Sequence, residues 1–296
     1  MKPLFLDEAI DGISGSKFIK QINMKSSAGF PHSGVKKDLF YRKIDNPHQY
    51  EAPPLIVDRV RNMEARAKKL VRPGVIFTAT FKDEPLNAEK TTLTEEVNIA
   101  LSSKDPEVVR DCLRSTKYGK LRIFQAVNVE TTILIRKYYL ALVSAIQKNG
   151  LLTGIAVGIN CYSKEWANML EHLSPPGWSE NFICGDFSNY DQRMGKEWLV
   201  AAWGVLNDLL LQSDYFNELS HDEQVEFVNL LHAFTDDITS PTTIFFGDIL
   251  RLSGSNASGH PLTVIINGIA NLMYMSYAFE CVYPDRDFFT NVRILS

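Results

Sequence analysis

The sequence has few cysteines, no low-complexity stretch and no apolar run that is both long and free of polar side chains, and these absences exclude several classes of protein. The four cysteines are scattered among 296 residues without a Cys-x-x-Cys pair. This argues against a zinc site and against the disulfide framework of a small secreted domain. The N-terminus has no signal-peptide core. The longest apolar run, residues 264–279, includes Asn267 and Asn271 and is a poor membrane span. The sequence therefore predicts a cytosolic protein without a transmembrane segment.

The overall composition, 45% hydrophobic and 22% charged residues, is typical of a soluble globular protein, and the length predicts two subdomains. The charge is unevenly distributed, because residues 1–150 have a net charge of +8 and residues 151–296 a net charge of −12. A basic half suits a surface that grips a polyanion, and an acidic half suits metal binding. Chance segregation of solvated surface charge explains the same counts.

Residues 181–194 are the stretch around which the rest of the chain is interpreted. Phe182 to Cys184 are apolar, which predicts a short buried strand. Asp186 follows at the end of that strand, and Asp191 comes five residues later, beyond a Ser-Asn turn signal. A carboxylate at the end of a buried strand is well placed to bind a hard cation such as Mg²⁺. The alternative is that two aspartates flank an ordinary turn.

The basic half contains three candidate nucleic-acid or phosphate contacts. Ser27 to Pro31 is rich in small residues and predicts a fixed loop that RNA could approach closely. Residues 55–72 predict a helix with six basic side chains that could follow phosphates. The strand predicted over 75–81 leads into Lys82, and the strand over 120–126 has Lys120 and Arg122 on one face. These cations would form a wall suited to a triphosphate. The alternatives are a plain surface turn for the first stretch, a solvated helix face for the second, and surface cations on an edge strand for the third.

The acidic half ends in a hairpin, a small-residue loop, a helix and a final strand. Residues 242–246 and 249–252 predict a β-hairpin with a two-residue turn. The loop over 253–260 leads into a helix predicted to begin at Pro261. Thr263, Asn267 and Asn271 form one polar line on that helix. Buried polar groups need partners, so this line faces either a ligand or a neighbouring helix. Residues 288–296 predict a strand.

These motifs, in this order, resemble those of the RNA-directed RNA polymerases of picornavirus-like positive-strand RNA viruses. Ser27 to Pro31 resembles the template-entry loop. Lys82-Asp83-Glu84, with Lys120 and Arg122, resembles the finger strands that cover the incoming triphosphate. Asp186 to Asp191 resembles the first palm motif, and Ser258-Gly259 with Thr263 and Asn267 resembles the second.

The resemblance implies an α+β, right-hand polymerase fold with fingers and part of a palm, in which an antiparallel sheet is packed against helices and the thumb is absent. Residues 1–175 are expected to form mainly the fingers. Residues 176–296 are expected to form the front of the palm, with an interleaved fingers segment at about 215–252.

The resemblance also implies roles for individual residues. Asp186 would be the catalytic ligand of Mg²⁺, with Mn²⁺ as an alternative ion. Asp191, with Asn267 and either Thr263 or Ser258, would recognise the ribose 2′-hydroxyl, and Ser258 and Gly259 would lie beside the template–nascent base pair. Two further groups of contacts are expected: Lys82, Lys120 and Arg122 on the triphosphate, and Ser27, Ala28, Gly29 and Pro31 on the template.

The implied function is RNA-templated RNA synthesis in viral genome replication, in replication complexes of the host cytoplasm. The implied partners are an RNA template and primer, ribonucleoside triphosphates and other viral replication proteins. The sequence departs from the family because the Gly-Asp-Asp turn expected after Asn267 is absent up to Ser296. We therefore expect a fragment that is inactive alone. The alternatives are a non-catalytic RNA-binding protein and a metal-dependent phosphohydrolase built around Asp186 and Asp191.

Overall fold

The computed structural model describes residues 1–82, 85, 87–88, 92–116, 122–175 and 182–296. The helices are α1 (Leu6–Asp11), α2 (Lys36–Leu39), α3 (Pro54–Lys68), α4 (Glu95–Leu101), α5 (Pro106–Ser115), α6 (Val129–Lys148), α7 (Gly150–Thr153), α8 (Lys164–Leu173), α9 (Tyr190–Arg193), α10 (Lys196–Leu211), α11 (Asp214–Asn217), α12 (His221–Thr239), α13 (Thr263–Val282) and α14 (Phe288–Asn291). The strands are β1 (Tyr41–Arg42), β2 (Tyr50–Glu51), β3 (Ile76–Phe81), β4 (Ile123–Val127), β5 (Thr242–Phe245) and β6 (Asp248–Arg251).

A four-stranded sheet in the order β4-β3-β5-β6 joins the two halves of the sequence. The β5–β6 pair is antiparallel, as expected for a hairpin. The β3–β4 pair is also antiparallel, and the β3–β5 pair is parallel. The predicted hairpin forms, but its turn is Phe246-Gly247 instead of the expected Gly247-Asp248, since Asp248 pairs with Phe245. Phe246 and Gly247 both adopt positive φ angles, 48° and 101°, as a tight two-residue turn between twisted strands requires. The sheet thus brings the strands preceding Lys82 and following Arg122 next to the hairpin of the acidic half.

The helical core surrounds α6, which is buried on most of its faces. Asn128 caps this helix by accepting a hydrogen bond from the backbone N–H of Thr131 at 3.0 Å. Tyr139 packs edge-on against Trp203, and both rings are fully enclosed. The Tyr139 hydroxyl donates to Asn207 Oδ1 at 2.9 Å, and Asn207 Nδ2 donates to Thr235 Oγ1 at 2.9 Å. This chain of satisfied polar groups ties α6, α10 and α12 together.

Some cations of the basic half form ion pairs with carboxylates of the acidic half. On α3 and just beyond it, Lys68 pairs with Glu226 at 3.2 Å and Arg72 with Asp236 at 2.6 Å. Both acids lie on α12, in the acidic half. Cations of the predicted phosphate-tracking helix are therefore engaged within the chain, which weakens the expectation that this helix grips RNA.

The sequence analysis was wrong about three elements. Residues 182–184 were expected to be a buried strand but form an exposed loop, in which the Ile183 side chain is 90% exposed. No strand among the described residues pairs with residues 182–184. A strand without a partner leaves its backbone N–H and C=O groups without hydrogen bonds and its apolar side chains exposed, so it is not stable.

The final segment, expected to be a strand, begins with α14, because Asp287 caps residues 288–291 by accepting from the Thr290 N–H at 2.8 Å. The helix expected to begin at Pro261 begins two residues later, at Thr263. His260 to Leu262 form a turn in which the Thr263 N–H donates to the His260 carbonyl at 3.2 Å. Over the described residues, no helix combines the length and the apolar character that crossing a membrane requires.

Candidate active site

A cleft of about 360 Å³ lies between the four-stranded sheet and the loop that leads into α13. The sheet contributes Ile123 and Gln125 from β4 and Thr243 from β5, and the palm motifs contribute Asp191 and Ser258. The fold thus brings two predicted sugar-binding residues to one cavity although they are far apart in sequence. A larger cavity of about 550 Å³, between α7, α10, α13 and α14, has a mostly apolar lining and includes none of the predicted site residues.

The turn that presents Asp191 is tied to the α13 side of the site by its backbone. Asn189 precedes α9 with φ at 53°, a left-handed conformation that asparagine tolerates better than most residues. The Asp191 carbonyl accepts a hydrogen bond from the Asn256 N–H at 2.9 Å, and the Tyr190 hydroxyl donates to the Asn267 carbonyl at 3.0 Å. These bonds fix the aspartate backbone relative to the helix that includes Asn267.

Buried polar side chains connect the loop before α13 with the helix itself. Asn256, only 1% exposed, donates through Nδ2 to the Thr263 carbonyl at 3.1 Å and to Asn267 Oδ1 at 2.8 Å. The Thr263 hydroxyl lies 2.9 Å from the carbonyl oxygens of both Ala257 and His260. In this structure the Thr263 hydroxyl therefore contacts the loop backbone, whereas its expected contact with a ribose stays a prediction.

His260 packs inside the same loop and is buried, with 5% of its surface exposed. Burial lowers its pKa to about 3, so the imidazole is neutral at physiological pH. Its Nδ1 accepts from the Leu262 N–H at 3.2 Å, and its Nε2 lies 2.9 Å from Asn256 Oδ1. Neither Asn256 nor His260 was identified from the sequence, since the loop offered only a run of small residues there.

Ser258 and Gly259 lie directly against β4. The Gln125 N–H points to Ser258 Oγ at 3.4 Å, and Gly259 forms a parallel bridge with Ala126. A Cβ on Gly259 would be 2.8 Å from Ala126 Cα and would overlap the Gln125 carbonyl oxygen. Glycine is therefore needed for a close backbone approach between fingers-like and palm-like segments.

The predicted triphosphate contacts are placed in part. The Lys82 N–H donates to the Arg122 carbonyl at 2.8 Å. These two residues therefore continue the β3–β4 pairing beyond Phe81 and Ile123, next to the cleft that Ile123 lines. Both residues are exposed. Lys120, like Asp83 and Glu84, lies outside the described residues.

The predicted template-entry loop is anchored on the start of α6. The Val129 N–H donates to the Ala28 carbonyl at 2.8 Å. Gly29 has φ at 74°, and a Cβ on it would lie 2.7 Å from Asn128 Cα. Beneath Ser27, the buried Lys36 ammonium donates to Ser26 Oγ at 2.8 Å and to the Ser27 carbonyl at 2.5 Å. Burial lowers the Lys36 pKa to about 8.

Pro31 follows Phe30 through a cis peptide, and Phe30 is 46% exposed. The Ser27–Pro31 loop is held by the hydrogen bonds to the carbonyls of Ala28 and Ser27, and it presents the Phe30 ring to solvent.

Asp186 lies in the exposed segment 182–189 and does not line the cleft. Its neighbour Phe187 stacks on Tyr190 at 4.5 Å between ring centroids, which keeps the segment beside the turn of Asp191. Where the structure describes the chain, no group of three His, Cys, Asp or Glu side chains could hold a metal ion. Asp186 is a suitable oxygen donor for Mg²⁺, but the described residues do not form a resident metal site around it.

Comparisons with known proteins identify the family. The family model described as viral RNA-dependent RNA polymerase matches residues 4–290. The replicase polyprotein of acute bee paralysis virus (strain Rothamsted) is 27% identical over 286 residues, covering 94% of this chain and 13% of the polyprotein. The RNA1 polyprotein of cowpea mosaic virus (strain SB) is 24% identical over 281 residues, covering 93% of this chain and 13% of the polyprotein.

A solved structure shows the same fold. The Sicinivirus 3Dpol RNA-dependent RNA polymerase matches with a TM-score of 0.65 and 20% sequence identity, covering 97% of this chain and 50% of that one. The α+β polymerase fold and the resemblance to picornavirus-like polymerases are thereby confirmed. The chain spans half the length of this polymerase and 13% of the two polyproteins. This chain belongs to the viral RNA-dependent RNA polymerase family.

Proposed function

We propose that this chain forms the fingers and the sugar-selecting front of the palm of an RNA-directed RNA polymerase from a positive-strand RNA virus. The observation that carries the proposal is the cleft of about 360 Å³ in which Asp191 and Ser258 face the sheet formed by β3, β4 and the hairpin. Family membership supports the reaction class. In this proposal residues 1–175 are mainly fingers, and 176–296 are palm with an inserted fingers segment at about 215–252.

The proposed reaction is nucleotidyl transfer. The 3′-hydroxyl of an RNA primer attacks the α-phosphate of a ribonucleoside triphosphate, a new phosphodiester bond forms, and the bond to pyrophosphate breaks. Positioning and charge stabilisation supply most of the catalysis in such transfers. Arg122 and Lys82, with Lys120, would hold the triphosphate, because guanidinium and ammonium groups pair well with phosphate oxygens.

Sugar choice is proposed to depend on Asp191 and Asn267, with Ser258 or Thr263. The 2′-hydroxyl both donates and accepts hydrogen bonds, and it distinguishes RNA from DNA. The Asp191 carboxylate would accept a hydrogen bond from the 2′-hydroxyl. An amide or hydroxyl group of the other residues would donate a hydrogen bond to the oxygen of that 2′-hydroxyl. The Ser27–Pro31 loop is proposed to contact the template, since its backbone is fixed on α6 and its Phe30 ring is exposed.

A bound divalent ion, Mg²⁺ or Mn²⁺, would supply stabilisation of negative charge on the phosphates. Asp186 would be its protein ligand. Because a lone carboxylate is a weak site, we propose that residues 1–296 bind the ion poorly by themselves and do not polymerise.

Nucleotide binding tests the proposal. GTP is titrated against the chain with Mg²⁺ and a short RNA hairpin, and binding is followed by equilibrium dialysis. Arg122→Ala is expected to weaken GTP binding about tenfold, as expected for loss of a charge-assisted contact. Arg110→Ala is the matched control, because Arg110 is an exposed arginine on α5 that pairs with Glu107. Equal losses in the two variants would contradict the proposed role of Arg122.

The competing functions are separated by this binding experiment together with assays of phosphate release and of primer extension. A chain that bound RNA but no nucleotide would be an RNA-binding protein, and phosphate release without template would indicate a phosphohydrolase. Template-dependent extension by residues 1–296 would show that the proposed inactivity is wrong. In a polymerase chain that extends beyond Ser296, Asp186→Asn is expected to abolish incorporation, whereas Asp208→Asn, the same change at an exposed site on α10, is expected to leave it unchanged.

A further inference from the structure

The loop before α13 contains a buried polar group that contacts both proposed sugar-binding residues. Asn256 is 1% exposed, and its backbone N–H donates to the Asp191 carbonyl at 2.9 Å. Its side-chain Nδ2 donates to Asn267 Oδ1 at 2.8 Å. One residue outside the polymerase motifs therefore holds the turn that presents Asp191 and the amide of Asn267 at the same time.

The orientation of this network follows from the backbone groups at its ends. The Leu262 N–H is a donor, so the Nδ1 of neutral His260 accepts from it and the proton of the imidazole lies on Nε2. Nε2–H then donates to Asn256 Oδ1, at 2.9 Å. This turns Asn256 Nδ2 toward the Thr263 carbonyl, at 3.1 Å, which can only accept.

The same logic fixes the side chain of Asn267. The Oδ1 of Asn267 accepts from Asn256 Nδ2. The Nδ2 group of Asn267, with two N–H donors, is therefore the part of this side chain that can contact a ligand. Asp191 supplies an acceptor and Asn267 a donor, and a 2′-hydroxyl can satisfy both at once. If the Asn267 amide were reversed, it would present an oxygen instead and the pair would lose its complementarity.

We propose that Asn256 is a positioning residue for ribose recognition, which fixes the Asn267 amide and the Asp191 backbone in one arrangement, and that His260 orients Asn256. The proposal rests on the proposed function, because it concerns selection of a ribonucleotide by the same cleft. Asn256 touches no substrate and acts only through its neighbours.

The test substitutes Asn256 with its isosteric acid. Asn256→Asp keeps an acceptor for His260 Nε2–H but removes the Nδ2 donor, so Asn267 is expected to reverse its amide. Two quantities are measured on residues 1–296: the side-chain amide resonances of Asn267 in ¹⁵N-asparagine-labelled protein, and the ratio of GTP to dGTP affinity with Mg²⁺. We expect the Asn267 resonances to shift and the affinity ratio to fall about tenfold, as for one or two lost hydrogen bonds.

Asn229→Asp is the matched control. Asn229 Nδ2 donates to the Lys68 carbonyl, also at 3.1 Å, at the contact between α3 and α12 away from the cleft. This variant is expected to lose some stability and to keep both the Asn267 resonances and the affinity ratio.

A second pair of variants, at His260, tests the same arrangement of Asn256 without changing Asn256 itself. These variants provide the test if Asn256→Asp does not fold. His260→Gln places an N–H group near the position of Nε2 and is expected to keep the GTP preference. His260→Leu removes that donor and is expected to lose the preference. A purely structural role would make both variants lose stability without separating their sugar preferences.

The outcomes separate this proposal from the function on which it rests. If wild-type protein prefers GTP and Asn256→Asp leaves the Asn267 resonances in place, the positioning role is refuted. The same holds if the resonances shift while the preference is unchanged. A wild-type chain with no preference for GTP over dGTP would instead refute the ribonucleotide site itself.

Discussion

Gly259 and Gln125 meet so closely that the loop before α13 and strand β4 can coexist only with glycine at position 259. A Cβ there would overlap the Gln125 carbonyl oxygen. The resemblance implied one reason for small residues at 258 and 259, which is a position beside the template–nascent base pair. The structure gives a second reason, which is the backbone contact between the sheet and the palm motif. This contact forms one side of the candidate cleft.

Gly259→Ala is expected to destabilise the protein by about 2 kcal/mol, because a methyl group forced into a packed contact must displace backbone. Gly204→Ala is the control, since a Cβ on Gly204 meets nothing within 4 Å and the residue lies inside helix α10. That variant is expected to gain up to about 1 kcal/mol from helix propensity. Urea unfolding measures both, and changes of the same sign would contradict the packing argument.

Asp237 anchors the start of the sheet to α12. Its Oδ2 accepts the N–H groups of Gly74 and Val75, each at 2.7 Å, and the residue is 4% exposed. Burial raises the Asp237 pKa, although the two backbone bonds oppose that rise. Asp237→Ala leaves two backbone donors without an acceptor and is expected to cost about 3 kcal/mol in unfolding free energy, measured by thermal or urea unfolding.

The neighbouring residue gives the control for Asp237. Asp236 is half-exposed and pairs with Arg72 at 2.6 Å. Solvent screens such a pair, so Asp236→Ala is expected to cost less than about 1 kcal/mol. Equal costs for the two variants would show that the buried backbone contacts of Asp237 do not stabilise the sheet.

His260 is expected to make the protein sensitive to acid. Its pKa is lowered by burial from 6.5 to about 3, so the unfolded chain takes up the proton before the folded chain does. The stability contributed by neutral His260 is complete above about pH 6.5 and is lost as the pH falls toward 3. Between those limits, wild type should lose about 1.4 kcal/mol per pH unit relative to His260→Gln. Urea unfolding of both proteins at pH 7, 6, 5 and 4 measures the difference, and parallel curves would contradict it.

Elements with strong local signals were predicted well from the sequence. Helix α10 was predicted with the bounds that the structure shows, and the β5–β6 hairpin forms, although its two-residue turn lies one residue earlier than the expected Gly247-Asp248. In each case a few neighbouring residues decide the conformation, through apolar periodicity in the helix and backbone freedom at Gly247 in the turn.

Features that depend on distant partners were not predictable in the same way. Residues 182–184 have the composition of a strand, yet a strand forms only where another strand pairs with it. The parallel pairing of β3 with β5 depends on segments far apart in the chain. Asn256 drew no attention in the sequence, because its importance comes from contacts with Asp191 and Asn267 that only folding creates.

The resemblance to a family supplied the fold and the reaction class, and composition alone would not have done so. The net charge of the basic half suggested a polyanion-binding surface, but Lys68 and Arg72 pair with acids of the other half. Charge counted along a sequence does not reveal which cations remain available to a ligand, because ion pairing depends on the packing of α3 against α12.

Asp191 is expected to control sugar choice rather than triphosphate affinity. It lines the cleft together with Ser258, and its backbone is held by Asn256, so its carboxylate can be removed without moving the turn. Asp191→Ala should therefore lower the ratio of GTP to dGTP affinity about tenfold, mainly by weakening GTP binding, because the lost acceptor serves only the 2′-hydroxyl. Equilibrium dialysis with both nucleotides measures the ratio, and Asp214→Ala, the same change on α11, is the control. If GTP and dGTP affinities fall together, Asp191 acts on the triphosphate or on folding, and its proposed role in ribose recognition is wrong.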